Sequence, residues 1–295
     1  MARRSSRSNV QFENRAPDEH VNYGTEHPLK EFAWLAGGVL GSLLLITLLI
    51  GFFAGELAAR LPYRYEKALA AETASQLVDK ALDPRNAAIE QELNRLSARI
   101  AAHLPLPPGM QVTVHYQDTP ELNAFATLGA NIVIYRGLLA RMPDENTLAM
   151  VLAHEMAHAQ LRHPARSLGR GVAVGIILSA LHSGMGRSAA GGALSATGGI
   201  TLLKFSRDQE RDADAAALAA VAALYQHVGG AQDLFRVLAS AGGGSEDLRV
   251  TMLSTHPLSQ ERIDAIATLA RTHGWPEDGT RIPLPAALRG AQPAN

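Results

Sequence analysis

The residues in this chain best equipped for chemistry are His154, Glu155 and His158, in the run His154-Glu155-Met156-Ala157-His158. On a helix, residues four apart lie on one face, one turn from each other. Both imidazoles can therefore reach one metal ion, and the glutamate beside the first is placed to act on water there. The implied metal is zinc, one ion per chain, because zinc takes nitrogen ligands readily and keeps an open position when catalytic. Three fixed positions in five also arise by chance in amphipathic helices. Here the motif is flanked by apolar residues and follows a plausible helix start at Pro143-Asp144-Glu145, which favours the metal reading.

A catalytic zinc usually has three protein ligands. The extended pattern with a glycine and a further histidine fails, since those positions hold Leu161 and Pro164. His163 is five residues past His158, on a different helical face, and is expected at the surface. The better third ligand is Glu210 in Glu210-Arg211-Asp212-Ala213-Asp214. Glu210 and Asp214 share a helix face, so one could bind metal while the other accepts a hydrogen bond from the outer nitrogen of a ligand histidine. Such a charge run is more often a solvated face with i,i+4 pairs. The need of His154 and His158 for a third partner tips the balance to Glu210.

These residues must be held by a folded domain, and the 295-residue chain is long enough for one domain plus an anchor. With 27 basic and 28 acidic side chains, net charge −1, no nucleic-acid partner is expected. The absence of cysteine excludes disulfides, thiolate zinc sites and a cysteine nucleophile. Residues 1–31 read as a disordered polar tail. Residues 32–55 carry no charge and, at about 1.5 Å per residue, can cross a hydrocarbon core of roughly 30 Å. The rivals are a cleaved signal peptide and a buried helix; the long polar lead and the length of the apolar run favour a single N-terminal transmembrane anchor. Arg3, Arg4, Arg7, Arg15 and Lys30 on the short side place the N-terminus in the cytoplasm and the larger domain in a bacterial periplasm, at the inner membrane.

Residues 56–110 read as a helical linker region, with Ile89, Leu93, Leu96 and Ile100 at helical spacing. Residues 111–116 and 131–136 read as strands of a small sheet just ahead of the motif helix. Residues 171–203 are uncharged except for Arg187 and rich in glycine. They are expected as helix, loop and helix covering or bordering the site; a hairpin dipping into the membrane is the alternative. No Gly-Lys-Ser/Thr follows the glycines, so phosphate binding is rejected. Helices are expected over 204–228 and 258–272, and a Pro/Gly-rich C-terminal tail over 273–295. The fold class is mainly α with a small β-sheet.

The chain resembles the zinc metallopeptidases that include the CAAX prenyl endopeptidases, HtpX and BepA. The resemblance covers about residues 115–272. It rests on Asn123-Ala124-Phe125, the run from Asn131 to Leu139, His154-Glu155-x-x-His158, Glu210-x-x-x-Asp214, and His256-Pro257 ahead of Arg262-Ile263. It implies a gluzincin core over 111–272, zinc on His154, His158 and Glu210, and Glu155 as general base. It also implies that His256 lies near the metal as a further ligand or catalytic contact, and Asn123 near the substrate backbone. One clear span and the lack of a following helical-repeat array set this chain apart from the multi-pass and BepA-type members.

The expected function is a membrane-anchored zinc endopeptidase acting on protein or peptide substrates that are unfolded or misassembled. An extended substrate could pair with the strand at 131–136. Two other functions fit the same residues: a chaperone or assembly factor with a gated, weakly active zinc site, and a hydrolase of a small amide.

Overall fold

A computed structural model describes residues 28–77, 84–182, 205–242, 252, 256–257 and 259–289. Residues 1–48 and 49–295 separate as two compact units. The first consists, where described, of helix α1, Pro28–Arg60, which continues into the second unit. It is the one helix among the described residues long and apolar enough to cross a membrane. It begins before residue 32, because Pro28 suits a first helical turn and Glu31 complements its dipole; the tail expected up to residue 31 lies outside the described residues as far as residue 27.

In the second unit, α2 (Tyr63–Leu77) and α3 (Pro84–Ala101) occupy the region expected as a linker. Both are docked. Ile89, Leu93, Leu96 and Ile100 of α3 are buried in the main core, as their spacing predicts. Tyr63 of α2 hydrogen-bonds the Gly129 carbonyl at 2.7 Å, and Glu66 accepts from the Gly129 amide at 2.9 Å. The last turns of α1 pack on α6, His163–His182. Gly169 makes this possible, since a Cβ there would stand 2.6 Å from the Ala54 carbonyl oxygen.

Three short strands follow α3: β1 (Thr113–Gln117), β2 (Ala124–Thr127) and β3 (Asn131–Tyr135). The order is β1-β3-β2, with β1 parallel and β2 antiparallel to β3. This overturns strand addition at 131–136. β3 is paired on both sides and has no free edge to offer. Its three central residues, Ile132, Val133 and Ile134, are fully buried, as fits a strand covered on both faces. β1 and β2 are the two edges; the outward groups of Val114 and Tyr116 on β1 are taken by Asn94 and Glu90 of α3, which leaves β2 as the more open edge among the described residues. The Tyr135 amide donates to the Asn123 carbonyl at 3.1 Å, so by antiparallel alternation the backbone groups of Ala124 and Ala126 face away from β3. The next outward carbonyl in that row, Leu122, accepts from the Met252 amide at 3.3 Å.

After the one-turn α4, Arg136–Leu139, comes α5, Glu145–Gln160, the spine of the unit. Its residues from Glu145 to Ala159 are all buried, because it is apolar around most of its circumference and packed by α3, β2 and α7 (Arg207–Tyr225). Asp144 caps it by accepting from the Thr147 amide at 2.8 Å and also pairs with Arg281 at 3.2 Å. Asp144→Ala is therefore expected to lower unfolding free energy by about 1–2 kcal/mol, read as an earlier denaturant midpoint with unchanged metal content.

Two more helices, α8 (Ala231–Gly242) and α9 (Gln260–His273), close the core. The stretch expected as a tail from 273 is instead packed onto it as far as 289. The Ile282 amide donates to Asn146 at 2.8 Å, the Glu145 amide donates to the Ile282 carbonyl, and Leu284 and Leu288 are buried. Leu288 sits on a final turn, α10 (Ala286–Arg289). Irregular backbone between prolines has no period, so only its burial reveals it. Of the helix, loop and helix expected over 171–203, residues 183–203 and their cover over the site lie outside the described residues; α6 itself runs on to His182.

Candidate metal centre

α5 and α7 lie against each other, and their polar residues meet at one buried point. α5 contributes His154, Glu155 and His158 one turn apart, all at most 2% exposed. α7 contributes Glu210 and Asp214, its start fixed by a capping box between Ser206 and Gln209. His256 arrives from the segment before α9 and is equally buried.

One donor atom from each of His154, His158, Glu210 and His256 falls within 4.8 Å of the others. The separations have a common scale. Nε2 of His154 lies 3.1 Å from Nε2 of His158 and 3.3 Å from Nδ1 of His256. Glu210 oxygens lie 3.5 Å from Nε2 of His154 and of His158 and 3.1 Å from Nδ1 of His256. Ligands at about 2.0–2.1 Å around a tetrahedral zinc stand about 3.3 Å apart, so this donor set fits such an ion. Electrostatics agree. Burial disfavours a charged His154, but Asp214 and Glu210 outweigh it and hold the ring at about 10. A pocket that draws a proton this strongly also favours a divalent cation. Burial likewise opposes a charged Glu210, yet its bonds to His154 and His256 keep its carboxyl far below the usual range.

The outer nitrogens are held as well. Nδ1 of His154 lies 3.0 Å from Asp214 Oδ1, so Nε2 is the nitrogen directed towards the centre, where a metal ion would replace its proton. Nδ1 of His158 lies 2.8 Å from Nδ1 of His163, and Phe205 stacks on the His158 ring at 4.1 Å. His163 is thus no surface residue: it is fully buried. Arg162 ends the α5 turn with φ +60°, and this left-handed residue redirects the chain so that His163 faces back onto His158. Burial first, then Arg166, brings His163 down to about 3, so its ring is neutral and can accept from His158.

Arg262 of α9 is the other residue that sequence reading left without a role. Its Nε and Nη2 each reach an Asp214 oxygen at 2.8 Å, while Nη1 reaches Glu210 at 2.9 Å and the Pro257 carbonyl at 3.1 Å. One guanidinium therefore fixes two carboxylates and the residue after His256. Its only sequence signal was its place six residues after His256, within a motif.

Glu155 stands apart from these networks. It is fully buried, and neither carboxylate oxygen has a hydrogen-bond partner among the described residues. Nε2 of His256 lies 3.6 Å from one of them and likewise makes no hydrogen bond among the described residues. A buried charge left unpaired costs several kcal/mol, so a fold keeps it only where something else uses it. Asn123 stands at the head of β2, buried, with its Oδ1 unpartnered; it is not among the residues that meet at the cluster.

Comparison with known proteins agrees with this geometry. Mitochondrial metalloendopeptidase OMA1 of Schizosaccharomyces pombe is 31% identical over 153 residues, 52% of this chain and 45% of that protein. The beta-barrel assembly-enhancing protease of Escherichia coli (strain K12) is 31% identical over 138 residues, 43% of this chain and 28% of that protein. The chain spans less than half the length of these relatives. The profile of Peptidase family M48 matches residues 83–270. That match takes in the whole donor cluster with its capping and orienting residues, and the chain belongs to peptidase family M48.

Proposed function

We propose that this chain is a zinc-dependent endopeptidase, anchored in the bacterial inner membrane by α1, that cleaves unfolded or misassembled proteins from the periplasmic side. The observation that carries the reading is the buried Glu155, without a hydrogen bond among the described residues, beside four converging donor atoms. His154, His158 and Glu210 would hold the ion, with Asp214, His163 and Arg262 fixing their orientation. When bound, zinc lowers the pKa of water towards about 7 and polarises a carbonyl. Glu155 takes the proton from the attacking water and delivers it to the leaving amine. Nε2 of His256 is free to donate to the oxyanion once its ring turns from Glu210. An extended substrate pairs with the outward backbone of Ala124 and Ala126 on β2, with Asn123 at its end. Reading backbone rather than side chains suits unfolded substrates, and the relatives named as a metalloendopeptidase and an assembly-enhancing protease agree with that role.

A second reading, a chaperone or assembly factor with a gated site, is favoured by one observation. Nδ1 of His256 is a fourth donor atom converging with the other three, whereas a catalytic zinc would need one position left to water.

Removing the metal separates the two. Full-length protein stripped with a chelator is expected to lose cleavage of casein and to regain it with one equivalent of zinc. Cleavage unaffected by stripping would end the zinc reading, and restored zinc without cleavage would favour the gated factor. A reporter fused after Asn295 tests the periplasmic orientation. Replacing His163 by alanine is expected to weaken metal binding about 10–100-fold, measured by chelator competition. His163→Gln, which keeps an acceptor, should recover part of it.

A further inference from the structure

The catalytic unit hides its large apolar side chains almost completely. Among its described residues beyond α1, the large hydrophobics left exposed are Leu61, Tyr65, Leu69 and Val172. They are not scattered. Leu61 is in the turn after α1, and Tyr65 and Leu69 stand one turn apart on α2. Val172 is on α6 three residues past Gly169, where α6 meets the end of α1. Leu57, at the end of α1, is 66% exposed, Tyr65 53% and Leu69 58%.

We infer that the outward face of α2, with Leu57 and Leu61 leading into it, lies on the surface of the lipid bilayer. The inference rests on α1 crossing that bilayer.

Three features name lipid as the occupant. The exposed apolar residues continue directly from those of α1, where Leu49 and Phe53 are also exposed. Exposed cations, Arg60, Arg64 and Lys67, flank them, as suits an anionic headgroup layer. The Arg64 guanidinium lies 4.8 Å over the Tyr65 ring and donates to its hydroxyl, and a tyrosine with an arginine at its tip is typical of the membrane–water boundary.

The other face of α2 is already used. Tyr63, Glu66 and Ala70 are buried, and Glu66 pairs with Arg162 at 2.5 Å, the residue that turns His163 onto His158. The helix is thus amphipathic between two partners: protein within, lipid without. It seats the catalytic unit against the membrane, where a plain tether would let it swing.

The chain has no cysteine, so single cysteines can be introduced into the full-length protein without background. Fluorophores at Leu45→Cys, Tyr65→Cys, Leu69→Cys and Ala223→Cys would be compared in vesicles containing phosphatidylglycerol. Quenching would use nitroxide-labelled lipid and aqueous iodide. The labels at 65 and 69 are expected to be quenched by the lipid and to lose iodide quenching relative to the exposed position 223. Iodide quenching at 65 and 69 equal to that at 223 would overturn the inference. Protection from both quenchers would overturn it in favour of a protein partner or second copy. No lipid quenching at 45 would show that the reading of α1 as a span has failed, a result distinct from failure at 65 and 69 alone.

Discussion

Glu155→Gln is expected to leave a folded chain that binds one metal ion and cleaves casein about 10²–10⁴-fold more slowly than the parent. The size follows from the role: amide cannot take a proton from water, so the loss is that of general base catalysis. That the fold survives follows from the contacts. Neither oxygen of Glu155 makes a hydrogen bond among the described residues, so the isosteric amide breaks none. It also removes a buried carboxylate whose one ion-pair neighbour among the described residues is His256, 3.6 Å away, and thermal stability should hold or rise. Mutating the orienting residues should behave differently. Asp214 holds two bonds from Arg262 and one contact with His154, so its loss should lower stability and metal affinity together. Metal content, melting temperature and rate, measured side by side, therefore distinguish base from support. Wild-type cleavage by Glu155→Gln would refute the proposed mechanism. Loss of metal would mean that Glu155 belongs to the ligand set.

The parts of this site that were legible in the sequence are those set by one local period. His154 and His158 meet because they are four apart on one helix, and Glu210 and Asp214 for the same reason. Joining the two helices needed chemistry beyond periodicity, namely the demand of two histidines for a third ligand. What stayed hidden depends on breaks and on pairing. His163 fell on the wrong face of an ideal helix because the helix stops at Arg162, whose positive φ carries no clear sequence mark. The strand at β3 was visible, but its neighbours were not. Its unbroken apolar run Ile132-Val133-Ile134 did signal cover on both faces, and so a central rather than an edge position. Arg262 was visible as a motif member, while its three partners lie on two other segments, Glu210 and Asp214 on α7 and Pro257 before α9, that only the tertiary fold brings to it.

His256→Ala is expected to speed cleavage. In the structure His256 does two things at once. Nδ1 stands 3.1 Å from Glu210 and 3.3 Å from His154, filling the fourth position of the donor cluster. Its segment also reaches the open edge of β2, through the Met252 amide on the Leu122 carbonyl and the His256 amide on the Met252 carbonyl at 2.7 Å. His256 therefore stands in the place proposed for water, and Met252 takes one backbone group on the edge proposed for an extended substrate. Two such contacts at about 1 kcal/mol each would favour this closed arrangement roughly 30-fold. Removing the ring deletes only the contact in the cluster and leaves the backbone bonds, so it shifts the population by up to about 5-fold, while the loss of an oxyanion donor acts in the opposite direction. Closure outweighs donation here because Nε2 makes no hydrogen bond among the described residues and serves only after the ring has turned. A fall in rate, with metal content unchanged, would reverse that ranking and make His256 a catalytic donor first. Arg262 supplies the independent check. It grips the Pro257 carbonyl and Glu210 together, so Arg262→Lys, which keeps the charge but loses the fork, should loosen closure and metal binding in one step, whereas His256→Ala should loosen closure with Glu210 still held.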